Sequence, residues 1–101
     1  MAQLHTVCRV GELAEGEGMS VIVEQKPIAV FLANGQYYAL ENRCPHMGSA
    51  ISDGQITKGS VVCSWHGWRF RLCDGAWADN PCLKIGWYPV RVEGDEVRVD
   101  V

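Results

Sequence analysis

The chain has 101 residues, 48% of them hydrophobic and 21% charged, which suits one globular domain with a modest core. Its net charge of −3 and the lack of any basic run argue against nucleic-acid binding, and no apolar run is long enough to cross a membrane. The first residues carry neither the charged start nor the apolar stretch of a secretory signal, so we expect a cytoplasmic protein.

Strands alternate with turns in the first forty residues. Apolar and β-branched runs predict strands at residues 4–10, 19–23, 28–33 and 36–40. Asn34-Gly35 predicts a tight hairpin because both residues tolerate a positive φ, whereas the glycine-rich stretch 11–18 predicts a connection. We expect residues 24–27 to separate the second and third strands, and His5 to lie on a strand face without a chemical role.

The middle of the chain is rich in turn residues. Turn-like composition marks residues 52–55, 57–60 and 74–75, and residues 78–83 are a fourth stretch of interest. Between them we expect a short bridge at Ile56 and strands at residues 60–63 and 68–72. The last of the four stretches contains Pro81, which predicts a loop there.

The last fourteen residues alternate strictly between apolar and polar side chains. This alternation predicts a hairpin in which Val90 and Val92 face Val97, Val99 and Val101, with the charged side chains toward solvent. No stretch of useful length shows a helical period. We therefore predict an all-β fold, a small antiparallel sandwich or barrel, in which residues 1–101 form a single domain.

Two compact cysteine–histidine pairs stand out from this strand pattern. The first is Cys44-x-His46 and the second is Cys63-x-x-His66, with sixteen residues between His46 and Cys63. A glycine follows each pair, where backbone can pass close to a metal centre or adopt a positive φ. Two thiolates and two imidazoles form a mixed sulfur and nitrogen ligand set, which suits a metal centre.

Other uses of these four residues make different demands. A structural zinc site is common, but common zinc fingers pair like with like, whereas each pair here is mixed. A cysteine–histidine nucleophile would leave two redundant pairs and no evident third orienting group. An oxygenase with its own mononuclear iron needs two more histidines and a carboxylate, and only His5 remains of the three histidines.

In order and spacing the two pairs resemble the Rieske [2Fe–2S] family, in which two histidines replace two cysteines on one of the two irons. The resemblance implies one [2Fe–2S] cluster, with Cys44 and Cys63 on one iron and His46 and His66 on the other. It extends over most of the chain in strand order. It also implies a cluster-binding subdomain at about residues 43–83, inserted at the tip of the β-sandwich or barrel.

Residues beside the ligands are expected to shield the cluster. Pro45, Met47 and Trp65 surround the ligands with apolar bulk, with core packing as the alternative interpretation, and the resemblance implies the shielding role for Pro81. Trp65 lies between two ligands. Pro81 stands where Rieske proteins often place a third loop, and an ordinary loop proline is an equally good interpretation of it. For Trp68 we expect packing in the core.

Departures from one branch of the family carry information about the redox potential. Rieske proteins of respiratory and photosynthetic complexes have an extra cysteine in each loop, joined as a disulfide, and a serine and a tyrosine after the second histidine. The matching positions here are Ser49 and Trp65, and then Trp68 and Phe70. Without those hydroxyl donors the sulfurs keep more negative charge, so we expect a potential at the low end of the Rieske range.

Three of the five cysteines, Cys8, Cys73 and Cys82, lie outside the two pairs. In a reducing compartment we expect them to be small buried hydrophobic residues, with a Cys73–Cys82 disulfide as the alternative.

By the resemblance, the leading hypothesis is a Rieske-type ferredoxin of the dioxygenase branch, which carries one electron from an NAD(P)H-dependent reductase to a terminal oxygenase. It is not expected to be catalytic alone, and its docking face is expected around His46 and His66. The alternative is the small subunit of an assimilatory nitrite-reductase-type complex. A hypothesis of another class is a structural zinc module for protein interaction, so the identity of the partner stays open.

Overall fold

The computed structural model describes residues 4–43, 50–63 and 67–101. Within these ranges the chain forms strands and no helix, which confirms the predicted all-β fold. None of the described segments is a helix long and apolar enough to cross a membrane. The strands are β1 (Leu4–Arg9), β2 (Gly18–Val23), β3 (Lys26–Ala33), β4 (Gln36–Glu41), β5 (Gln55–Thr57), β6 (Ser60–Val62), β7 (Arg69–Arg71), β8 (Ala76–Trp77), β9 (Asn80–Lys84), β10 (Trp87–Tyr88), β11 (Val90–Glu93) and β12 (Glu96–Asp100).

The strands pair antiparallel in three sheets. The terminal sheet, in the order β1-β12-β11, joins the first strand to the last hairpin, and the central sheet has the order β10-β4-β3-β2. The meander sheet, β5-β6-β7-β8-β9, follows chain order, so short turns are enough to connect its strands. In the sequence, the first candidate ligand pair stands between β4 and β5, and the second between β6 and β7.

The central sheet is the middle layer, because β3 is buried on both of its faces. Ala29 and Phe31 lie in a first core shared with the meander sheet, whereas Ile28 and Val30 lie in a second core shared with the terminal sheet. Successive side chains of a strand point to opposite faces, so one continuous apolar run serves both cores. Full burial of each such side chain stabilises the fold by roughly 1.5–3 kcal/mol.

Both strongly signalled hairpins are confirmed. Asn34 and Gly35 have φ of 54° and 75° in the turn between β3 and β4. In the C-terminal hairpin Val90 is opposite Val99 and Val92 is opposite Val97, as the alternation predicts. The strand between the two predicted middle turns is also present, with Ile56 paired to Val61.

The boundary between β2 and β3 differs from the prediction. Glu24 and Gln25 alone form the turn, with φ of 50° and 67°, and Lys26 and Pro27 belong to β3. A positive φ at two residues with full side chains is uncommon and has no composition signal, so the sequence pattern predicts a turn that is two residues too long. Pro27 pairs with Ile22 of β2 and lies one residue before Ile28, where the pairing of β3 with β4 starts.

The cysteine prediction is right for one residue and wrong for two. Cys8 is buried in β1, and burial, assisted by the nearby Glu12 carboxylate, raises the pKa of its thiol. Cys73 and Cys82 are exposed instead of buried, and neither forms a disulfide. Cys73 lies in the turn after β7 and Cys82 in β9, the edge strand of the meander sheet, where little covers either side chain.

His5 lies on β1, as predicted, with its side chain 29% exposed. Its Nε2 atom is 3.9 Å from the Glu24 carboxylate, which places it at the turn between β2 and β3. The described contacts give it no role at the candidate metal centre, although its freedom from any chemical role stays a prediction.

Candidate metal centre

Cys63 is the candidate ligand that the structure describes. It is the first residue after β6 and is 1% exposed, in the first core with Val61 and Phe70. Its backbone N–H donates to the carbonyl of Trp68 at 2.6 Å, which closes the loop between β6 and β7 at its base. A buried thiol at a closed loop base has the position that a rigid scaffold gives to a metal ligand.

Gly67 supports the predicted backbone of this second loop. Its φ is 72°, in the left-handed region where a Cβ is strained, and it lies just before the residue that closes the loop. The glycine after the second pair is therefore required by the turn itself. Gly48, the corresponding glycine after the first pair, lies outside the described residues.

The other candidate ligands lie in the two stretches 44–49 and 64–66, outside the part of the chain that the structure describes. These are Cys44, His46 and His66, together with the predicted shielding residues Pro45, Met47 and Trp65. Their positions therefore stay predictions. The residues on either side of both stretches are described, and they show how each loop is held at its base.

Asn42 holds the base of the first loop, and the sequence prediction missed it. Its Oδ1 atom accepts hydrogen bonds from the backbone N–H groups of Ile51 and Ser52, at 2.8 and 2.9 Å. The same side chain donates from Nδ2 to the hydroxyls of Ser20 and Ser52, both at 3.2 Å. An asparagine at the end of a strand has no local pattern that reveals such partners, because they are 9 to 22 positions away.

Gly54 brings the end of the first loop against the strand that carries Cys63. Its N–H donates to the Ile51 carbonyl at 2.9 Å, which forms a turn just before β5. A Cβ on Gly54 would overlap the carbonyl oxygen of Val62, the residue before Cys63. Glycine at this position therefore lets the bases of the two candidate ligand loops pack directly together.

Aromatic side chains fill the space next to the second loop. The rings of Trp68 and Trp77 stack with centroids 4.0 Å apart and planes 12° apart, and Phe70 lies 6.3 Å from Trp68. Trp68 packs against the first core, as predicted, and Phe70 is fully buried. Neither residue carries a hydroxyl, so the low potential expected from this difference stays a prediction.

Pro81 lies in β9 and is exposed, so the predicted loop at residues 78–83 is wrong in part. The turn is limited to Ala78 and Asp79, and Asn80 pairs with Trp77 across it. A proline is compatible with β9 because β9 is an edge strand, which can lack one backbone donor. The shielding role assigned to Pro81 stays a prediction.

The charged side chains near the loop bases are mostly at the surface. Arg43, the last described residue before Cys44, lines a shallow pocket with Glu41, Lys84 and Ile85. The Glu41 carboxylate accepts a hydrogen bond from the Gly86 N–H at 3.1 Å. Burial, with the same Glu41 carboxylate nearby, raises the pKa of the Tyr88 hydroxyl.

Comparison with known families decides between the interpretations of the two pairs. The model of the Rieske [2Fe-2S] domain matches residues 3–92 of the chain. The chain belongs to the Rieske [2Fe–2S] family. Its cofactor is accordingly one [2Fe–2S] cluster, and the zinc interpretation is set aside.

Two individual proteins resemble this chain over most of their length. The ferredoxin component of a naphthalene 1,2-dioxygenase system from Pseudomonas aeruginosa is 35% identical over 91 residues, which cover 89% of this chain and 88% of that protein. A structure described as the small subunit of an NADH-dependent nitrite reductase from Mycobacterium tuberculosis has a TM-score of 0.93 at 26% identity, covering 100% of this chain and 96% of the other.

A third resemblance is to a chain in a complex of reduced oxygenase and oxidized ferredoxin of carbazole 1,9a-dioxygenase. Its TM-score is 0.86 and its identity 31%, and the match covers 96% of this Rieske chain and 92% of the other. The resemblances therefore include proteins of two kinds of system, the dioxygenases and a nitrite reductase.

The residues of the chain fit the cluster. The donor set of two cysteines and two histidines is the one that Rieske ligation requires. Cys63 is buried at a closed loop base in the first core, and it also lines a cavity with Asp53, Gln55 and Gly67. Burial of a ligand is one of the factors that set the potential of an iron–sulfur centre.

Proposed function

We propose that this Rieske protein is a ferredoxin that carries one electron from an NAD(P)H-dependent reductase to a terminal oxygenase. The observation that carries the proposal is the match to a dioxygenase ferredoxin component, which covers nearly nine tenths of both chains at 35% identity. A carrier needs a redox centre on a rigid support and a surface for two partners in turn. The described part of the chain supplies the rigid support.

Cys44, His46, Cys63 and His66 hold the cluster in this proposal, with the cysteines on one iron and the histidines on the other. The bound cluster supplies reversible one-electron chemistry. Burial of Cys63 in the first core supports the assignment, and so do the hydrogen bonds of Cys63 and Asn42, because they fix described residues beside both candidate ligand stretches. Pro45, Met47, Trp65 and Pro81 shield the cluster from water, within a subdomain at about residues 43–83 of a single domain.

The chain acts in this proposal as an electron-transfer component and is not catalytic alone. Its docking face surrounds His46 and His66, and its partners are the reductase and the oxygenase. The similarity to a chain of an oxygenase–ferredoxin complex supports an oxygenase as partner. A cytoplasmic location belongs to the same proposal, and the free thiols of Cys8, Cys73 and Cys82 agree with a reducing compartment.

A second candidate function is the small subunit of a nitrite reductase. The TM-score of 0.93 to a protein described in those terms favours it. The two functions differ in the life of the complex, because a ferredoxin leaves its partner between electrons and a subunit stays bound.

Two measurements test these proposals. Electron paramagnetic resonance of the purified protein should show a signal that appears only after dithionite reduction, with the low average g-value of mixed ligation and equal iron and sulfide. A protein that is silent and holds zinc overturns electron transfer. Pull-down of partners then separates the functions, because a ferredoxin is recovered free whereas a subunit is recovered with a large reductase in fixed ratio.

A further inference from the structure

Asn42 occupies a position where a polar side chain is unusual. It follows β4 directly, precedes the ligand Cys44 by two residues and is only 7% exposed. Buried amides are retained where their hydrogen bonds are satisfied, since an unpaired buried polar group is destabilising. The partners of Asn42 therefore show what the residue does.

The side chain of Asn42 uses its full hydrogen-bonding capacity. Two backbone N–H groups, of Ile51 and Ser52, donate to Oδ1 at 2.8 and 2.9 Å, and Nδ2 donates to the hydroxyls of Ser20 and Ser52. Only an oxygen can accept from the two backbone donors, so the amide has one possible orientation. We call this set of four bonds the Asn42 bridge.

The bridge joins the two ends of one particular segment. Asn42 lies at its start and Ile51 and Ser52 at its end, and the ligands Cys44 and His46 lie between them. The backbone N–H of Asn42 also donates to the Pro27 carbonyl at 3.0 Å, which fixes the start of the segment to β3. Asn42 is thus attached to the central sheet through Pro27 of β3 and Ser20 of β2, and the end of the segment is attached to that sheet through Asn42.

The geometry points to Asn42 as a positioning residue that holds Cys44 and His46 in register with Cys63. The link to Cys63 runs through Gly54, because the turn that begins at Ile51 packs against Val62. Removing the amide leaves two buried N–H groups without an acceptor and frees one end of the ligand segment. This inference rests on the proposed cluster ligation and adds a residue that no ligand motif contains.

The alternative is a purely structural asparagine, which would lower the stability of the whole fold and affect the cluster only through that loss. Two readouts separate these roles. The amide hydrogens of Ile51 and Ser52 report the bridge directly by hydrogen exchange, even in protein without the cluster. The rate at which an iron chelator removes the cluster from the folded protein, together with the reduction potential, reports the register of the ligands.

The test compares Asn42→Ala with Val99→Ala. Val99 is fully buried in the second core on β12, whereas Ile51 of the bridge lies in the first core, so truncation of Val99 destabilises the fold away from the ligand segment. We expect Asn42→Ala to accelerate both hydrogen exchange at Ile51 and Ser52 and loss of the cluster, each by about tenfold or more. A factor of this size is expected when buried donors are left without an acceptor. Val99→Ala should change both rates at those sites by less than threefold.

Asn42→Asp provides the conservative control. A carboxylate keeps an acceptor for the Ile51 and Ser52 N–H groups, and the Ser20 and Ser52 hydroxyls can donate to its second oxygen. Cluster loss should then return to within threefold of the original protein, while the added negative charge lowers the potential. Rescue by aspartate and failure of alanine together support the positioning role.

Two results overturn the inference. One is Asn42→Ala with unchanged exchange at Ile51 and Ser52 or with unchanged cluster loss. The other is equal acceleration in Asn42→Ala and Val99→Ala, which assigns the effect to global stability. Failure of the proposed ligation is distinguishable, because the original protein would then contain no iron and sulfide before any substitution is made.

Discussion

The scaffold and the ligand-bearing region of this protein are stabilised in different ways. The terminal and central sheets contain strands of up to eight residues, and their cores consist mainly of buried aliphatic side chains. The meander sheet has strands of two to five residues. Its loop bases depend on single polar contacts, such as the Asn42 bridge and the bond from Cys63 N–H to the Trp68 carbonyl.

The difference shows how stability and ligand geometry can be assigned to different residues. Apolar burial is non-directional, so it stabilises a fold without fixing any atom to a fraction of an ångström. Hydrogen bonds and close glycine contacts are directional, and they occur at the bases of both ligand loops. Substitutions in the scaffold should therefore change the free energy of unfolding alone, whereas those near the loops should also change the cluster.

The largest effect should come from Cys63→Ser, which replaces the sulfur of a proposed ligand by a hydroxyl. We expect the purified variant to retain less than a tenth of its iron, as measured by iron and sulfide analysis. Cys82→Ser is the matched control, because that thiol is exposed on β9 and lies outside the ligand pairs. Full iron content in Cys63→Ser, or equal loss in both variants, would contradict the ligand assignment.

A pair of valines tests the separation of roles with one kind of substitution. Val61 in β6 and Val99 in β12 are both fully buried, in the first and second core respectively. Truncation to alanine should lower the free energy of unfolding by about 2 kcal/mol in each case, measured by urea denaturation. The visible absorption and potential of the cluster should change only in Val61→Ala, two residues from Cys63. Equal cluster changes in both would show that the regions are not separate.

A smaller effect concerns the missing hydroxyl next to the second loop. Phe70→Tyr places a donor in the first core beside Cys63, and a new bond to a cluster sulfur should raise the potential. If the new hydrogen bond stabilises the reduced state by about 1.4 kcal/mol relative to the oxidised state, the reduction potential of this one-electron couple rises by about 59 mV. Tyr38→Phe is the control, because its hydroxyl bonds to Gln36 and its ring packs on the same core. Spectroelectrochemical titration measures the reduction potential of both variants. A potential that falls or does not change in Phe70→Tyr contradicts the predicted hydrogen bond.

The smallest effect lies in the terminal sheet, at Glu96. A hydrogen bond from the Thr6 hydroxyl at 2.8 Å, with Arg98 also bonded, lowers the pKa of this carboxyl below 4.5. A lowered pKa means that the bonded carboxylate stabilises the fold above pH 4.5 and that this stabilisation is lost as the pH falls toward the folded-state pKa.

Thr6→Val removes the first of these bonds, so the dependence of unfolding free energy on pH below 4.5 should become shallower. Urea denaturation at a series of pH values measures the slope. Thr57→Val, an exposed threonine on β5, is the control and should leave the slope unchanged. If Thr6→Val has the same slope as the original protein, the Thr6 hydroxyl is not a cause of the lowered pKa of Glu96.

Local sequence patterns predicted the scaffold better than the ligand-bearing region. Strict alternation and the Asn34-Gly35 pair act over neighbouring residues, so the strands and hairpins of the terminal and central sheets could be anticipated. The two-residue turn at Glu24 and Gln25 could not be predicted, because glutamate and glutamine have no preference for a turn with positive φ. Pro81 in β9 and the exposure of Cys73 and Cys82 depend on the place of each strand in a sheet, which composition does not reveal.

The two candidate ligand pairs could be identified from the sequence, because cysteine and histidine at this spacing are typical of metal ligands. Asn42 and Gly54, at the loop bases, could not be identified in this way, because they act through partners in other strands and turns. An asparagine and a glycine are also common in ordinary turns, so neither stands out in a single sequence.

Strand β3, with side chains in both cores, has a consequence for how the molecule unfolds. Neither core can lose its packing without exposing one side of the same strand, so we expect the two cores to melt in one cooperative transition. The amide hydrogens of Ala29, Val30 and Phe31 should then be the slowest to exchange. A protein that has lost its cluster would keep this cooperative centre, and could receive a new cluster without refolding from the unstructured chain.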